Sequence, residues 1–230
     1  MSAPEACAAI EERLRRLADP GRAAPMQAYL LNQFAFLGLP APVRRLAVKD
    51  LVAQPVRDAG TVLATAEQLW RLPEREFRYT AIDVLRRHRR LLGRAHLPAI
   101  RQLLLTDPWW ETVDGVAAVV GAIMRDEPRT EAGAQCLMDD WVVDASMWVR
   151  RVAMLHQLGW RLDTDQRRLA AYSLSLASEG EFFIRKAIGW ALRDYARWHP
   201  EFVRNFVTGN RDALSSLTVR EACRKLGCAS

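Results

Sequence analysis

Residues 148–156 read WVRRVAMLH, and residues 182–190 read FFIRKAIGW. In both stretches an alanine, Ala153 or Ala187, comes shortly after a basic residue in a largely apolar segment. Three further stretches, VRRLAVKDL, FRYTAIDVL and LTVREACRKL, place an alanine in the same setting, at Ala47, Ala81 and Ala222. The recurrence of one local pattern along the chain indicates an internal structural repeat.

The spacing of these alanines defines the repeat. Successive positions are 34, 72, 34 and 35 residues apart, and the midpoint of the long step is Ala117, within DPWWETVDGVAAVV. Six units of about 35 residues then span most of the chain, a period typical of HEAT-like helix pairs. We therefore predict an all-α superhelical solenoid of about six HEAT-like repeats, forming a single domain over residues 1–230.

The spacing of apolar residues agrees with helices throughout. Met26, Leu30, Phe34 and Leu37 recur at intervals of three and four, and strand-like alternation is absent. Prolines fall where helices should begin or end. These are Pro40, Pro42, Pro73, Pro108, Pro128 and Pro200.

The charge balance favours an anionic partner without proving one. The chain has 33 basic and 27 acidic residues, for a net charge of +6, and only three of the basic residues are lysines. Arginine presents planar, bidentate donors that suit phosphate. No apolar run is long enough to cross a membrane, and no secretory signal is recognisable, so we expect a cytoplasmic protein. The four cysteines and four histidines show no metal-ligand spacing, so we expect no metal.

Equivalent positions in stacked repeats line up along one face. Two positions before the repeat alanines, four of the six residues are arginines, which predicts a basic stripe and a concave groove for a phosphate backbone. The alternative is that these arginines are solvated or pair with acids such as Glu181 and Glu221. The four are Arg45, Arg151, Arg185 and Arg220.

Three positions before the repeat alanines, Asp114 is the one acid among the six equivalent residues. The equivalent residues in the other units are Arg44, Arg78, Arg150, Ile184 and Val219. A carboxylate repels phosphate, but it stabilises a cation that develops during a reaction. Trp110 precedes Asp114 by one helical turn on the same face, and Trp148 and Trp190 lie in the next two units.

Aromatic walls around one carboxylate fit a particular hydrolysis. An N-alkylated purine is cationic, so loss of the base leaves a neutral leaving group and an oxocarbenium-like sugar. A carboxylate stabilises that sugar cation and orients water, and aromatic faces attract cations. Because the leaving group is already activated, no strong general acid is required.

The motifs DPWWETVD, WVRRVAMLHQL and EFFIRKAIGWALRDYA resemble those of the AlkD-type DNA alkylation repair glycosylases, which are HEAT-like repeat proteins. AAPMQAYLLNQFAFLGLPAPVRR, LPEREFRYTAIDVL and LTVREACRKL extend the similarity over essentially the whole chain. The resemblance implies a monofunctional glycosylase that removes cationic alkylpurines, such as 3-methyladenine and 7-methylguanine, from duplex DNA without conventional base flipping.

The resemblance also implies roles for individual residues. Asp114 would be the catalytic carboxylate, Trp110 and Trp190 the aromatic walls, and Arg151 a contact on the phosphate side. Tyr29, in the Met-x-x-Tyr of the first helix, matches a position near the DNA. The residues that we expect to bind DNA are Tyr29, Arg45, Arg150, Arg151, Arg185, Lys186 and Arg220.

Several alternatives stay open from the residues alone. Spacing by itself favours core packing for Trp109, and also for Trp110 and Trp190, whose assignment to the site depends on the family resemblance. It leaves Trp148 undecided and allows Asp114 to be an ordinary helix salt bridge. The whole chain could be a non-catalytic DNA-binding or scaffolding solenoid. We expect a monomer that needs no cofactor, and nothing marks Lys186 as the Schiff-base nucleophile of a lyase.

Overall fold

The computed structural model describes residues 1–126, 135–224 and 226, and this part of the chain is helical. Its β structure is limited to one isolated bridge between Ala35 and Glu74. The all-α prediction is confirmed. The α-helices are α1 Ala3–Arg16, α2 Pro20–Tyr29, α3 Ala41–Ala47, α4 Lys49–Ala53, α5 Ala59–Trp70, α6 Arg75–Arg87, α7 Leu97–Leu105, α8 Trp110–Asp126, α9 Gln135–Trp141, α10 Met147–Leu155, α11 Gln166–Ser175, α12 Phe182–Tyr195, α13 Pro200–Gly209 and α14 Ser216–Cys223.

Helix ends follow local sequence signals. Asp19, Asp58, Asp165 and Ser215 each precede a helix and accept a hydrogen bond from a backbone N–H of its first turn. Such caps satisfy donors that the helix itself leaves without partners. The predicted proline boundaries also hold, since the prolines concerned lie at helix starts or in the connections, while Pro128 lies outside the described residues.

Two compact units make up the chain, Met1–Leu103 and Leu104–Ser230. The prediction of one domain over residues 1–230 stays a prediction, as does the number of repeats. In the second unit, α8 packs on α10, α10 on α12 and α12 on α14. This order, in which alternate helices are neighbours, is what stacked helix pairs produce.

Five of the six repeat alanines mark the buried faces of five different helices, whereas Ala47, on α3, is only half-buried. Ala81, Ala117, Ala153, Ala187 and Ala222 are each at most 1% exposed, on α6, α8, α10, α12 and α14. Two glycines bring neighbouring helices of the second unit still closer. A Cβ on Gly121 would lie 1.9 Å from the carbonyl oxygen of His156, and one on Gly189 would lie 2.5 Å from Cβ of Glu221.

In the first unit a buried carboxylate holds the turn between α2 and α3. Glu76, on α6, is fully buried and accepts hydrogen bonds from the backbone N–H groups of Leu37, Gly38 and Leu39 at 3.0, 2.9 and 3.0 Å. Gly38 has a φ of 86°, and a Cβ there would lie 2.1 Å from the carbonyl oxygen of Asp19. Only glycine fits this position.

Candidate active site

Asp114 and Arg151 form a bidentate ion pair between α8 and α10. Nε of Arg151 donates to Oδ1 of Asp114 at 2.8 Å, and Nη2 donates to Oδ2 at 2.9 Å. The Arg151 side chain is 1% exposed, whereas the Asp114 side chain is 25% exposed. The pair therefore presents its negative end to the surface and keeps its positive end inside.

A third helix completes the setting of Arg151. Its Nη1 donates to the carbonyl oxygen of Phe183, in the first turn of α12. A guanidinium so deeply buried is stable only when its charge and its donors are met by partners, and these come here from α8 and α12. Arg151 thus fixes the orientation of the Asp114 carboxylate.

Trp190 lies beside the same guanidinium. On α12, Trp190 is half-buried, and Cζ of Arg151 is 5.5 Å from the centroid of its ring. Nζ of Lys186 is 5.5 Å and Cζ of Arg193 is 5.9 Å from that centroid. The structure thus brings Asp114 and Trp190 together through Arg151, as two neighbours of one buried cation.

Trp110 is the first residue of α8 and is half-buried. It lies one helical turn before Asp114, so the two side chains share a face of the helix. The adjacent Trp109 instead packs on Trp148 and Phe183, with ring centroids 5.9 and 5.4 Å away. The sequence left open whether Trp148 belongs to the core or to the site. Because it is 8% exposed, we assign it to the packing behind the site.

The arginines of the predicted stripe differ in their surroundings. Arg220 is exposed on α14, and Arg45, in the first unit, is exposed with Nε 3.4 Å from Asp83. Arg185 is half-buried, and its Nε donates to the carbonyl oxygen of Glu179 at 2.7 Å. Arg45 and Arg220 remain accessible to a phosphate. Arg151 is buried, so a direct contact between its guanidinium and a phosphate would require the side chains around it to move, and that contact stays a prediction.

The structure shows which groups Arg150 contacts, which the sequence did not indicate. Its Nε and Nη2 donate to the two carboxylate oxygens of Glu179 at 2.7 and 2.8 Å. Its Nη1 donates to the carbonyl oxygens of Asp144 and Ala145 at 2.7 and 2.9 Å. Arg150 therefore ties the start of α10 to the segment before α12, and its DNA contact stays a prediction.

Tyr29 and Lys186, the two remaining candidates, occupy different units. Tyr29 ends α2 and is 72% exposed; it is not on the first helix as predicted, because α1 precedes it. Lys186 is half-buried on α12, with Nζ 5.3 Å from the ring centroid of Phe182 and close to Trp190 as above.

Sequence reasoning missed Phe183 and Glu179, and it named Glu221 only as a possible partner for the arginines of the stripe. Phe183 supplies both a carbonyl oxygen for Arg151 and a ring for the packing of Trp148. Glu179 holds Arg150, and Glu221 pairs with Arg193 beside Trp190. The motif EFFIRKAIGW carried a signal for Phe183, because that residue stands one turn before Ala187. Nothing in the sequence spacing indicates the two ion pairs.

The buried histidine is structural. His156 is 2% exposed at the end of α10, and burial lowers the pKa of its imidazole to about 4. Its ring packs edge-on against Trp160, and it lies beside Tyr172, whose hydroxyl donates to Asp139 at 2.7 Å. Hydrogen bonds from Arg168 lower the pKa of the Asp139 carboxyl.

Across the described ranges, no cluster of metal-ligating side chains occurs and no helix is long and apolar enough to span a membrane.

The described part of the chain is all-α, and its second unit presents the Asp114 carboxylate, held by the buried Arg151, whose guanidinium also lies beside the ring of Trp190. Residues 10–226 match the family model described as DNA alkylation repair enzyme, so the chain belongs to the DNA alkylation repair enzyme family. The resemblance seen in the sequence is thereby confirmed. Family membership supports a role in DNA alkylation repair, with DNA as the partner.

A solved structure agrees with this assignment. The "Predicted DNA alkylation repair enzyme from Enterococcus faecalis" is similar with a TM-score of 0.81 and 29% sequence identity, over 92% of this chain and 98% of that one. A comparison with curated proteins found no significant match.

Proposed function

We propose that the protein is a monofunctional DNA glycosylase that hydrolyses the N-glycosidic bond of N3- and N7-alkylated purines in duplex DNA. The observation that carries this proposal is the asymmetry of the Asp114–Arg151 pair. The carboxylate is 25% exposed while its partner is 1% exposed, so a substrate meets an acid of fixed orientation. A protein that only bound the phosphate backbone would gain nothing from presenting that charge.

The proposed reaction replaces one bond with another. The bond between C1′ of the deoxyribose and the purine nitrogen breaks, and its electron pair leaves with the base, which becomes neutral. Water adds its oxygen to C1′ and releases a proton. In the oxocarbenium-like transition state, positive charge develops on the sugar, where a nearby carboxylate lowers the energy.

Each side chain has a defined task in this scheme. Asp114 stabilises the sugar cation and orients water through oxygen lone pairs that Arg151 does not use. Trp110 and Trp190 form aromatic walls that favour cationic groups through their ring faces. Arg151 acts through Asp114 by holding the carboxylate in place, and no metal or cofactor takes part.

The basic residues would hold the duplex through its phosphates. Arg45 and Arg220 are exposed, and Tyr29 offers an exposed aromatic ring. Arg150, Arg185 and Lys186 would contribute positive potential near the lesion, since exposed or half-buried cations attract a polyanion. We place the protein in the cytoplasm, acting as a monomer.

The test compares charged and neutral lesions in one duplex sequence. Under single-turnover conditions without added metal, we expect release of 7-methylguanine, leaving an abasic site with an uncut strand. Uracil and hypoxanthine should be released slowly or not at all, because they lack the charge that activates the leaving group. Binding of alkylated DNA without base release would support a non-catalytic binding module instead. Equal rates on neutral bases would refute the mechanism.

A further inference from the structure

A second ion pair lies next to Trp190. Arg193 follows Trp190 by three positions on α12, its Cζ is 5.9 Å from the centroid of the Trp190 ring, and its Nη1 donates to Oε2 of Glu221 on α14. The side chains of Arg193 and Glu221 are 20% and 13% exposed. Trp190 therefore has two arginine neighbours, Arg151 and Arg193, and each is held by a carboxylate from another helix.

The position of Glu221 is determined by close packing of α14 on α12. Gly189 leaves space where a Cβ would come within 2.5 Å of Cβ of Glu221 and 3.0 Å of the carbonyl oxygen of Thr218. The hydroxyl of Thr218 donates to the carbonyl oxygen of Arg185 at 2.9 Å. The backbone that carries Glu221 is thus fixed beside the residue that precedes Trp190.

We infer that Glu221 is a positioning residue for the excision reaction, which acts by holding Arg193 against the ring of Trp190. The inference rests on the proposed function. An indole contacted only by mobile groups would sample several orientations. A guanidinium anchored by Glu221 restricts that motion, so that the Trp190 ring is already placed relative to Asp114 when DNA binds.

The first measurement needs no activity. In protein labelled with fluorotryptophan, the fluorine NMR signal of Trp190 is assigned by its loss in Trp190→Phe. Glu221→Gln should shift and broaden this signal. The matched control is Asp139→Asn, which removes one of the two carboxylate partners of Arg168, elsewhere in the same unit, and should leave the signal unchanged. The side chain of Arg168, at 21% exposure, is as buried as that of Arg193.

The second measurement is the single-turnover rate of 7-methylguanine release. Glu221→Gln should lower it about three- to tenfold with unchanged DNA binding, whereas Asp139→Asn should not. In a Trp190→Ala background, Glu221→Gln should have no further effect, because the positioned ring is gone; a general loss of stability would still be additive there. The double variant Arg193→Met with Glu221→Leu leaves no buried charge behind and serves if the single variant does not fold.

The outcomes separate the two proposals. An unchanged Trp190 signal in Glu221→Gln, or an equal loss of rate with and without Trp190, would overturn the positioning role. A shifted signal in a protein that releases no base would uphold the contact between Arg193 and Trp190 but refute the glycosylase function, and with it the catalytic purpose of that contact.

Discussion

Replacing Asp114 by asparagine should separate the contribution of its carboxylate to stability from its contribution to the reaction, which the sequence alone could not distinguish. The amide keeps one acceptor for Arg151 but turns an N–H group toward the other guanidinium donor. A charge-assisted hydrogen bond contributes about 1.5–3 kcal/mol. Complete removal of one partner of a buried pair costs about 3–5 kcal/mol. Because Asp114 is 25% exposed and water can replace part of its contact, we expect a loss of about 2–3 kcal/mol in the free energy of unfolding.

The catalytic effect should exceed what this loss of stability explains. We expect the single-turnover rate of 7-methylguanine release to fall at least about tenfold, equivalent to about 1.4 kcal/mol of lost transition-state stabilisation. The melting temperature should fall by roughly 4–10 °C for a chain of this size. Rates are therefore compared well below the melting temperatures of both proteins, with DNA binding measured in parallel.

The first unit provides a matched control. Asp83 pairs with Arg44 at 2.8 Å, and the side chains are 18% and 2% exposed, so this pair resembles Asp114–Arg151 in burial. Asp83→Asn should lower the melting temperature to a similar extent while the excision rate stays within about twofold of wild type. A wild-type rate in Asp114→Asn, or an equal loss of rate in Asp83→Asn, would refute a chemical role for Asp114.

Three further predictions follow from individual residues. Arg220→Ala should lower the slope of log binding constant against log salt concentration by about one, because an exposed arginine that contacts a phosphate displaces a counterion; titrations at several salt concentrations test this, and an unchanged slope would exclude the contact. His156 has a folded-state pKa of about 4 against an ordinary value of 6.5, so the unfolded state binds the extra proton between these values. Stability should be full above pH 6.5 and fall by up to about 3 kcal/mol as the pH drops toward 4, and denaturant titrations of His156→Asn should show a flatter pH profile. Gly38→Ala should destabilise the protein by about 3 kcal/mol or more, because of both its positive φ and the clash with Asp19. Gly180→Ala, with no atom within 4 Å of its added Cβ, should have little effect. Equal melting temperatures of the two variants would contradict the packing account.

The helices and their buried faces were predictable because they depend on local spacing. Ala81, Ala153 and Ala187 lie one repeat or two apart, and a repeat of this length fixes which face of each helix is buried. The same argument placed Asp114 and Trp110 on one face of α8. These properties are encoded within a few turns of each helix, so the sequence displays them directly.

The electrostatics of the site could not be predicted in the same way. Arg150 and Arg151 are adjacent in the sequence, yet one binds Glu179 and the other binds Asp114, which is 37 residues away. Which arginine is buried depends on how α8, α10 and α12 cross, and helical periodicity does not determine the reach of a long side chain between helices. For this reason a phosphate contact was expected where the structure has an internal ion pair.

The three hydrogen bonds from the turn at residues 37–39 to Glu76 have a consequence for local opening. Amide hydrogens in a connection between helices usually exchange with solvent quickly, because such segments open without disturbing the rest. Here the acceptor is fully buried on α6, so opening the turn at Leu37, Gly38 and Leu39 removes three donors from a carboxylate in the interior. These three amides should exchange as slowly as the central amides of α6, and so a connecting turn becomes a reporter of the cooperative unfolding of the helix beneath it.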